Sequence, residues 1–372
     1  MTLSEHQILP LRAARRALGL FGAVGLAIAL PALAQPTETF TFEAQELAVG
    51  NLIGAIDVER ASGSRFEVEV RVRGRDAGAD SVRFERRDGA RAAFEVVFPV
   101  DRERRYVYPE LGRGESRFRL HDQGDRGWLR ELIEAVSSPE IRVSGAGSGL
   151  ELWADLTVRV PSGGALELQH GVGKVFASGV DGDLRFDLVS GSFDGESLRG
   201  QVTVATGSGA VTVADVDGEL LVDTGSGGVK VAGVRGPRVN VDTGSGRVVM
   251  EDIDTEELVV DTGSGSVRAE RIRAEGARID TGSGSVMLAL DSMGEGRFDI
   301  DTGSGSITLL VPAQASAEVQ ADTGSGGIDV DLPSVQTLHR ERDEMKFRIG
   351  AGGAQVRLDT GSGAIRVGPV SL

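Results

Sequence analysis

Cysteine is absent from all 372 residues. No disulfide can brace the fold, no thiolate metal centre can form, and no lipid anchor attached through a cysteine is possible. The four histidines are scattered, so a Cys/His metal cluster is excluded by count. Aromatic residues make up 5% of the chain, with two Trp and two Tyr, too few for a broad sugar-stacking platform. Lysine occurs only as Lys174, Lys230 and Lys346; the other basic residues are arginine, which we read as codon bias. The net charge of −16 argues against nucleic acid or an anionic membrane as the main partner.

The N-terminus has the order of a secretory leader. Arg12, Arg15 and Arg16 precede an apolar run from Ala17 to Leu30, and Ala32-Leu33-Ala34 places small residues at a cleavage site. The alternative is an uncleaved anchor, for which the run is short. Removing residues 1–34 takes away three Arg and one Glu and moves the net charge from −16 to −18. The expected location is therefore outside the cytoplasm: periplasmic, outer-surface or secreted, with no membrane anchor after cleavage.

Glycine is abundant, at 53 residues. Much of it lies in one string, Asp-Thr-Gly-Ser-Gly, written seven times from Asp223, Asp242, Asp261, Asp280, Asp301, Asp322 and Asp359. A variant copy begins at Ala205. From there the steps are 18, 19, 19, 19, 21, 21 and 37 residues, the last about two periods. A fixed short period means one structural unit stacked on copies of itself.

Each unit has strand periodicity on both sides of the glycines. In Leu258-Val-Val-Asp-Thr262, Val259 and Asp261 share one face and Leu258, Val260 and Thr262 the other; Val267 and Ala269 resume the alternation. In this phase apolar residues and Thr point inward and each Asp outward. The expected fold is all-β: a β-solenoid resembling a parallel β-helix, with rungs of roughly 19 residues and tight glycine corners. An antiparallel meander turning at Gly-Ser-Gly is the rival, but it does not require so constant a rung length.

The expected organisation is a leader at 1–34, β rungs over 35–98, an insertion at 99–150, and the repeat solenoid over 151–372. Val189-Ser-Gly-Ser192 and His170-Gly-Val-Gly173 read as weak upstream copies. Leu47–Val58 and Arg65–Arg73 read as first rungs. Trp128 to Val136 has helical spacing, so the insertion is expected to carry a short helix. Residues 333–346 interrupt the repeat and read as a polar loop, followed by a final strand pair from Phe347 through Gly352-Gly353.

These residues resemble a bacterial adhesin-type family of unknown function, whose domains repeat a Thr-x-Ser-Gly-type corner between short strands. The opening Val49–Ile56, the segment Val158–Gly164 and the closing Gly350–Ile365 carry the resemblance beside the repeats. It implies a repetitive β-fold at the cell envelope and no catalytic residues.

Asp-Thr-Gly after two apolar residues also looks like an aspartic-protease loop. That chemistry uses two loops from two lobes whose carboxylates share a proton. Seven copies suit a stacking unit and leave five idle in a protease. As structural corners, Gly225, Gly244, Gly263, Gly282, Gly303, Gly324 and Gly361 turn the chain, and an Asp before each can accept turn N–H groups. In a regular coil Asp223, Asp242, Asp261, Asp280, Asp301 and Asp322 form one exposed ladder. Carboxylates ~4.8 Å apart repel by about 0.9 kcal/mol in bulk water. Arg247, Arg268 and Lys230 are candidate counter-charges, and Ca²⁺ is the cation such a ladder would hold. No other cofactor signature is present.

A carbohydrate-active β-helix enzyme is the enzymatic alternative; Tyr106, Tyr108, Trp128 and Trp153 would then mark its site. Packing of the insertion onto the coil is the plainer account of those aromatics. The reading reached is a non-enzymatic, monomeric envelope protein that binds a protein or glycan ligand. An envelope-stress sensor or scaffold acting through a protein partner is a third possibility.

Overall fold

The computed structural model describes residues 37–119 and 140–370. The leader and the helical pattern at 128–136 lie outside them. The described chain is all-β: a 24-stranded, mostly parallel sheet, a 3-stranded sheet and one 3-10 turn at Pro109–Leu111.

In the strand Val229–Ser245 the valines at 229, 231, 234, 239 and 241 are buried together with Thr243, while Lys230, Arg235 and Asp242 face out. Each buried valine contributes about 1.5–3 kcal/mol relative to exposure. The inward phase slips between Val231 and Val234, where the chain turns. Gly233 there has φ 67°, and its register-mates Ser197, Asp215, Asp252 and Arg271 share the left-handed conformation at φ 54–56°. Gly179, one rung before Ser197, also takes this conformation at φ 67°; four of these six positions are not glycine, so no repeated residue marks this corner.

Successive repeats pair in parallel. Val211 aligns with Val229 at an offset of 18. Val229 aligns with Val248, and Val248 with Val267, at 19. Val286 aligns with Ile307 at 21. Parallel pairing at a near-constant offset is what a coil makes, whereas a meander would pair its repeats antiparallel.

At the N-terminal end the strands leave chain order. Glu46–Ile53 lies between Arg91–Val97 and Gly164–Val172. Ile56–Arg60 lies between Trp153–Val160 and Val175–Ser178. Antiparallel pairing closes this end: Phe66–Arg73 lies between Trp153–Val160 and Thr37–Phe42, antiparallel to both, and Arg83–Arg87 lies on Arg91–Val97. Phe40, Phe42, Phe84 and Phe94 plug the core with ring centroids 4.7–6.2 Å apart. A terminal repeat needs such a lid because it has no neighbour to cover it.

The segment between 99 and 150 contributes a small sheet of Arg105–Val107, Glu115–Arg119 and Glu140–Ser144. It is anchored by aromatics: Tyr106 meets Phe98 at 5.9 Å and Tyr108 meets Trp153 at 5.7 Å.

The C-terminal end departs from expectation. The polar stretch read as a loop is a hairpin, Val335–Arg340 against Glu344–Ile349. The strand beginning near Phe347 does not pair with the one that follows Gly353. Instead Glu344–Ile349 and Ala354–Thr360 flank Ala317–Thr323, antiparallel on one side and parallel on the other.

Candidate functional site

The repeated aspartates share one outward column. Register places Asp223, Asp242, Asp261, Asp280 and Asp301 side by side, each alternating with a buried Thr. The next member is Asp359, not Asp322. Asp359 aligns with Asp301 on one side and with Asp322 on the other. A step of 37 residues thus reflects an inserted rung rather than two skipped periods. The column runs on to Glu344 at one end. At the other it continues through Ala205, Asp187, Gln169 and Gly50 to Glu95 and Glu85.

Crowding marks this column electrically. Partial burial raises the Asp242, Asp261 and Asp301 carboxyls above their ordinary range, and neighbouring carboxylates add to it: Asp223 for Asp242, Asp242 and Asp280 for Asp261, and Asp359 and Asp280 for Asp301. Arg278 opposes the rise at Asp261, and Arg357 with Arg278 opposes it at Asp301. The counter-charges are therefore not those expected. Arg357 pairs with Asp359 at 3.1 Å and Arg185 with Asp187 at 2.8 Å. Arg268 pairs with Glu270 at 2.6 Å.

Single file limits what the column can coordinate. Among the described residues no group of three or more His, Asp or Glu is arranged to hold a metal ion. Nor do two Asp-Thr-Gly loops face each other across a cleft as protease chemistry needs; they stand in one sheet.

The corner is capped by threonine rather than aspartate. Thr302 Oγ1 accepts the Gly305 N–H at 3.0 Å and donates to Gly284 O of the preceding rung at 2.8 Å. Thr281, Thr360 and Thr323 repeat both bonds. Thr224 and Thr243 have buried hydroxyls without a partner. They sit where the corner changes its bonding. Gly209 and Gly227, the second glycines of the Thr206 and Thr224 corners, donate N–H forward to Ser226 and Ser245 O; from the Asp261 corner on, the first glycines Gly263 and Gly282 donate back to Thr243 and Thr262 O.

Both glycines of each corner are sterically required. A Cβ on Gly225, Gly244, Gly263, Gly282, Gly303, Gly324 or Gly361 would come within 2.4–2.7 Å of a neighbouring carbonyl oxygen. On the second glycine the clash is worse. Gly209, Gly227, Gly246, Gly265, Gly284, Gly305, Gly363 and Gly326 would meet a carbonyl at 1.6–2.0 Å.

The threonine column starts with Asn51 and with His170, which the sequence marked only as the head of a weak upstream copy. His170 aligns with Asn51 and, through Leu188, with Thr206. Its ring nitrogens lie 3.1 Å from Asn51 O and 3.0 Å from Gly54 O. Burial pushes its pKa down to about 4, against the pull of those two carbonyls. Asn51 Nδ2 donates to Ala154 O at 2.8 Å. Together they stitch the out-of-order first rung into the coil.

The aromatics at the insertion face inward. Tyr106 and Tyr108 are buried, and burial raises both hydroxyl pKa values, that of Tyr108 to about 12. Trp153 packs on Tyr108; Trp128 lies outside the described residues. A cleft of about 370 Å³ opens at the N-terminal lid between Thr41, Glu43, Arg65, Arg86 and Asp88. No described helix is long and apolar enough to cross a membrane.

A candidate cell adhesion protein from Clostridium sporogenes is 10% identical, with 90% of this chain and 99% of that one covered at a TM-score of 0.18. A candidate lipid-binding protein from Parabacteroides distasonis is 12% identical, with 88% and 96% covered at a TM-score of 0.37. No curated protein sequence matches the chain. The sequence profile of the Toastrack DUF4097 family matches residues 153–368, more than half of the chain, and the chain belongs to that family.

Proposed function

We propose that the protein is an exported, non-enzymatic β-solenoid of roughly 19-residue rungs that serves as a structural or adhesive binder at the cell envelope. The observation that carries this reading is the outward carboxylate column, held in register from Asp223 to Asp322 by parallel pairing. A rigid row of like groups at ~4.8 Å intervals suits a long, repetitive partner better than a small substrate. Burial of Tyr106 and Tyr108 weighs against a sugar-cleaving groove, which would need them exposed.

The test is sedimentation of the purified protein with isolated envelope fractions. One arm is digested with protease beforehand and one with polysaccharide hydrolases, which separates a protein from a glycan ligand. Replacing Asp242, Asp261 and Asp280 by Asn together should weaken sedimentation at least tenfold with the fold intact by circular dichroism. Unchanged sedimentation, or reducing ends released from acidic polysaccharides, would overturn the reading. Material recovered from outside the cytoplasm should begin at Gln35.

A further inference from the structure

Among the described residues, the rung that comes last in sequence is not last in the coil. Ala354–Thr360 lies between Arg297–Thr302 and Ala317–Thr323, parallel to both. Ile365–Pro369 lies between Ile307–Val311 and Ile328–Val330 in the same way. The corner bonds cross both seams: Thr360 Oγ1 donates to Gly305 O at 2.8 Å, and Thr323 Oγ1 to Gly363 O at 2.9 Å.

To reach this slot the chain passes round the end of one strand. Ile349 and Ala354 both align with Ala317, on opposite sides of it. Only residues 350–353 make the crossing, and Gly350 and Gly352 there have φ of 56° and 84°. Among the described residues no strand beyond Ile365–Pro369 packs over the inserted segment. Its departure would open two parallel edges, each a row of unpaired backbone groups. Those edges carry the same Asp-Thr-Gly-Ser-Gly corner as the insert and have no means of telling one copy from another.

We infer that residues 350–369 form an exchangeable arm, and that the slot between the rungs of Asp301 and Asp322 accepts the same arm from a second copy of this chain. The monomer is the closed form, in which each chain fills its own slot. Reciprocal exchange gives a two-fold dimer, and one-way exchange gives longer assemblies. Hinge length sets the balance, because a crossing too short to close within one chain can still reach a neighbour.

Two experiments on the full chain test this. Deleting Ala351 and Gly352 should raise the dimer fraction in size-exclusion chromatography with light scattering at least tenfold; a folded variant that stays monomeric would overturn the proposal. In the second, Glu318→Cys and Gln355→Cys are placed together on the unaltered hinge. These positions align across the seam, and the chain has no other cysteine. Parallel neighbours at this spacing suit a disulfide. Two size-tagged versions are mixed at high concentration, warmed below the melting point, cooled and oxidised. Mixed-size disulfide dimers on a non-reducing gel are the expected result. Intrachain disulfides alone would overturn the proposal, whatever the fate of the deletion variant.

Discussion

Asp359 stands directly beside Asp301, with Asp322 on its far side, although Asp322 comes first in the chain. Three carboxylates are thereby set in line in an order that is not the order of the chain. The partly buried Asp301 carboxyl is raised by burial first and then by Asp359 and Asp280. A group whose folded pKa lies above its unfolded value contributes stability at low pH. That contribution is lost as pH rises from the ordinary Asp value of 3.8 through the folded value. Asp301→Asn should therefore stabilise the protein at pH 7 by about 1 kcal/mol or less, as befits a largely exposed group, and raise its melting temperature. The gain should vanish below pH 3.5. Equal effects at both pH values would contradict a charge origin.

The same repulsion predicts a response to ions. Sodium chloride should stabilise the wild type by screening the column. Millimolar Ca²⁺ compared at matched ionic strength separates coordination from screening. A melting temperature above that of the sodium control would mark bound calcium. No excess would end the cation-ladder expectation, in keeping with the single-file geometry.

Gly265→Ala should destabilise more than Gly263→Ala. Both are corner glycines, but a Cβ would lie 1.6 Å from Gly246 O at the second and 2.6 Å from Gly244 O at the first. Backbone on both sides leaves nothing to give way, so the cost at Gly265 should exceed about 3 kcal/mol. Urea unfolding of the two variants checks the order; a reversed order would contradict the close-approach account.

These glycines also show what can be read from residues alone. Alternation around Asp-Thr-Gly-Ser-Gly revealed the strands, the inward Thr and the outward Asp, because period two is local. It named the first glycine of each corner and missed that the second is under the tighter constraint, since that constraint comes from the neighbouring rung. The order of Asp301, Asp359 and Asp322 was likewise invisible: identical corners can stack in any order. The left-handed corner has glycine only at Gly179 and Gly233 and other residues at Ser197, Asp215, Asp252 and Arg271, and His170 and Asn51 replace Thr in the threonine column without resembling it.

Threonine substitutions should divide along the chain. Thr302→Val removes a hydroxyl bonded to both Gly284 O and Gly305 N–H. The loss should be about 1–3 kcal/mol, because two buried backbone groups are left unpaired. Thr243→Val removes a buried hydroxyl that has no partner, so it should be neutral or stabilising. Chemical denaturation of the two variants decides; equal losses would mean that the methyl, not the hydroxyl, holds both sites.

Glu95 gives the clearest pH signature. It lies in the carboxylate column beyond Gly50, is 6% exposed, and its Oε2 has no hydrogen-bond partner. Burial raises its pKa from 4.5 to about 8, helped by Glu85 directly across the strand pair. The folded pKa exceeds the unfolded one, so stability is fully present below about 4.5 and is lost as pH climbs toward 8. Glu95→Gln keeps the shape and removes the titration. It should leave the melting temperature nearly unchanged at pH 4.5 and raise it at pH 8.5, where relief of a buried charge adds about 1–3 kcal/mol of stability. Glu85→Gln should give a smaller gain in the same direction, since it removes only the neighbouring charge. A wild-type melting temperature that is flat from pH 4.5 to 8.5, or a Glu95→Gln variant that loses stability at pH 8.5, would show that the carboxylate is solvated rather than enclosed.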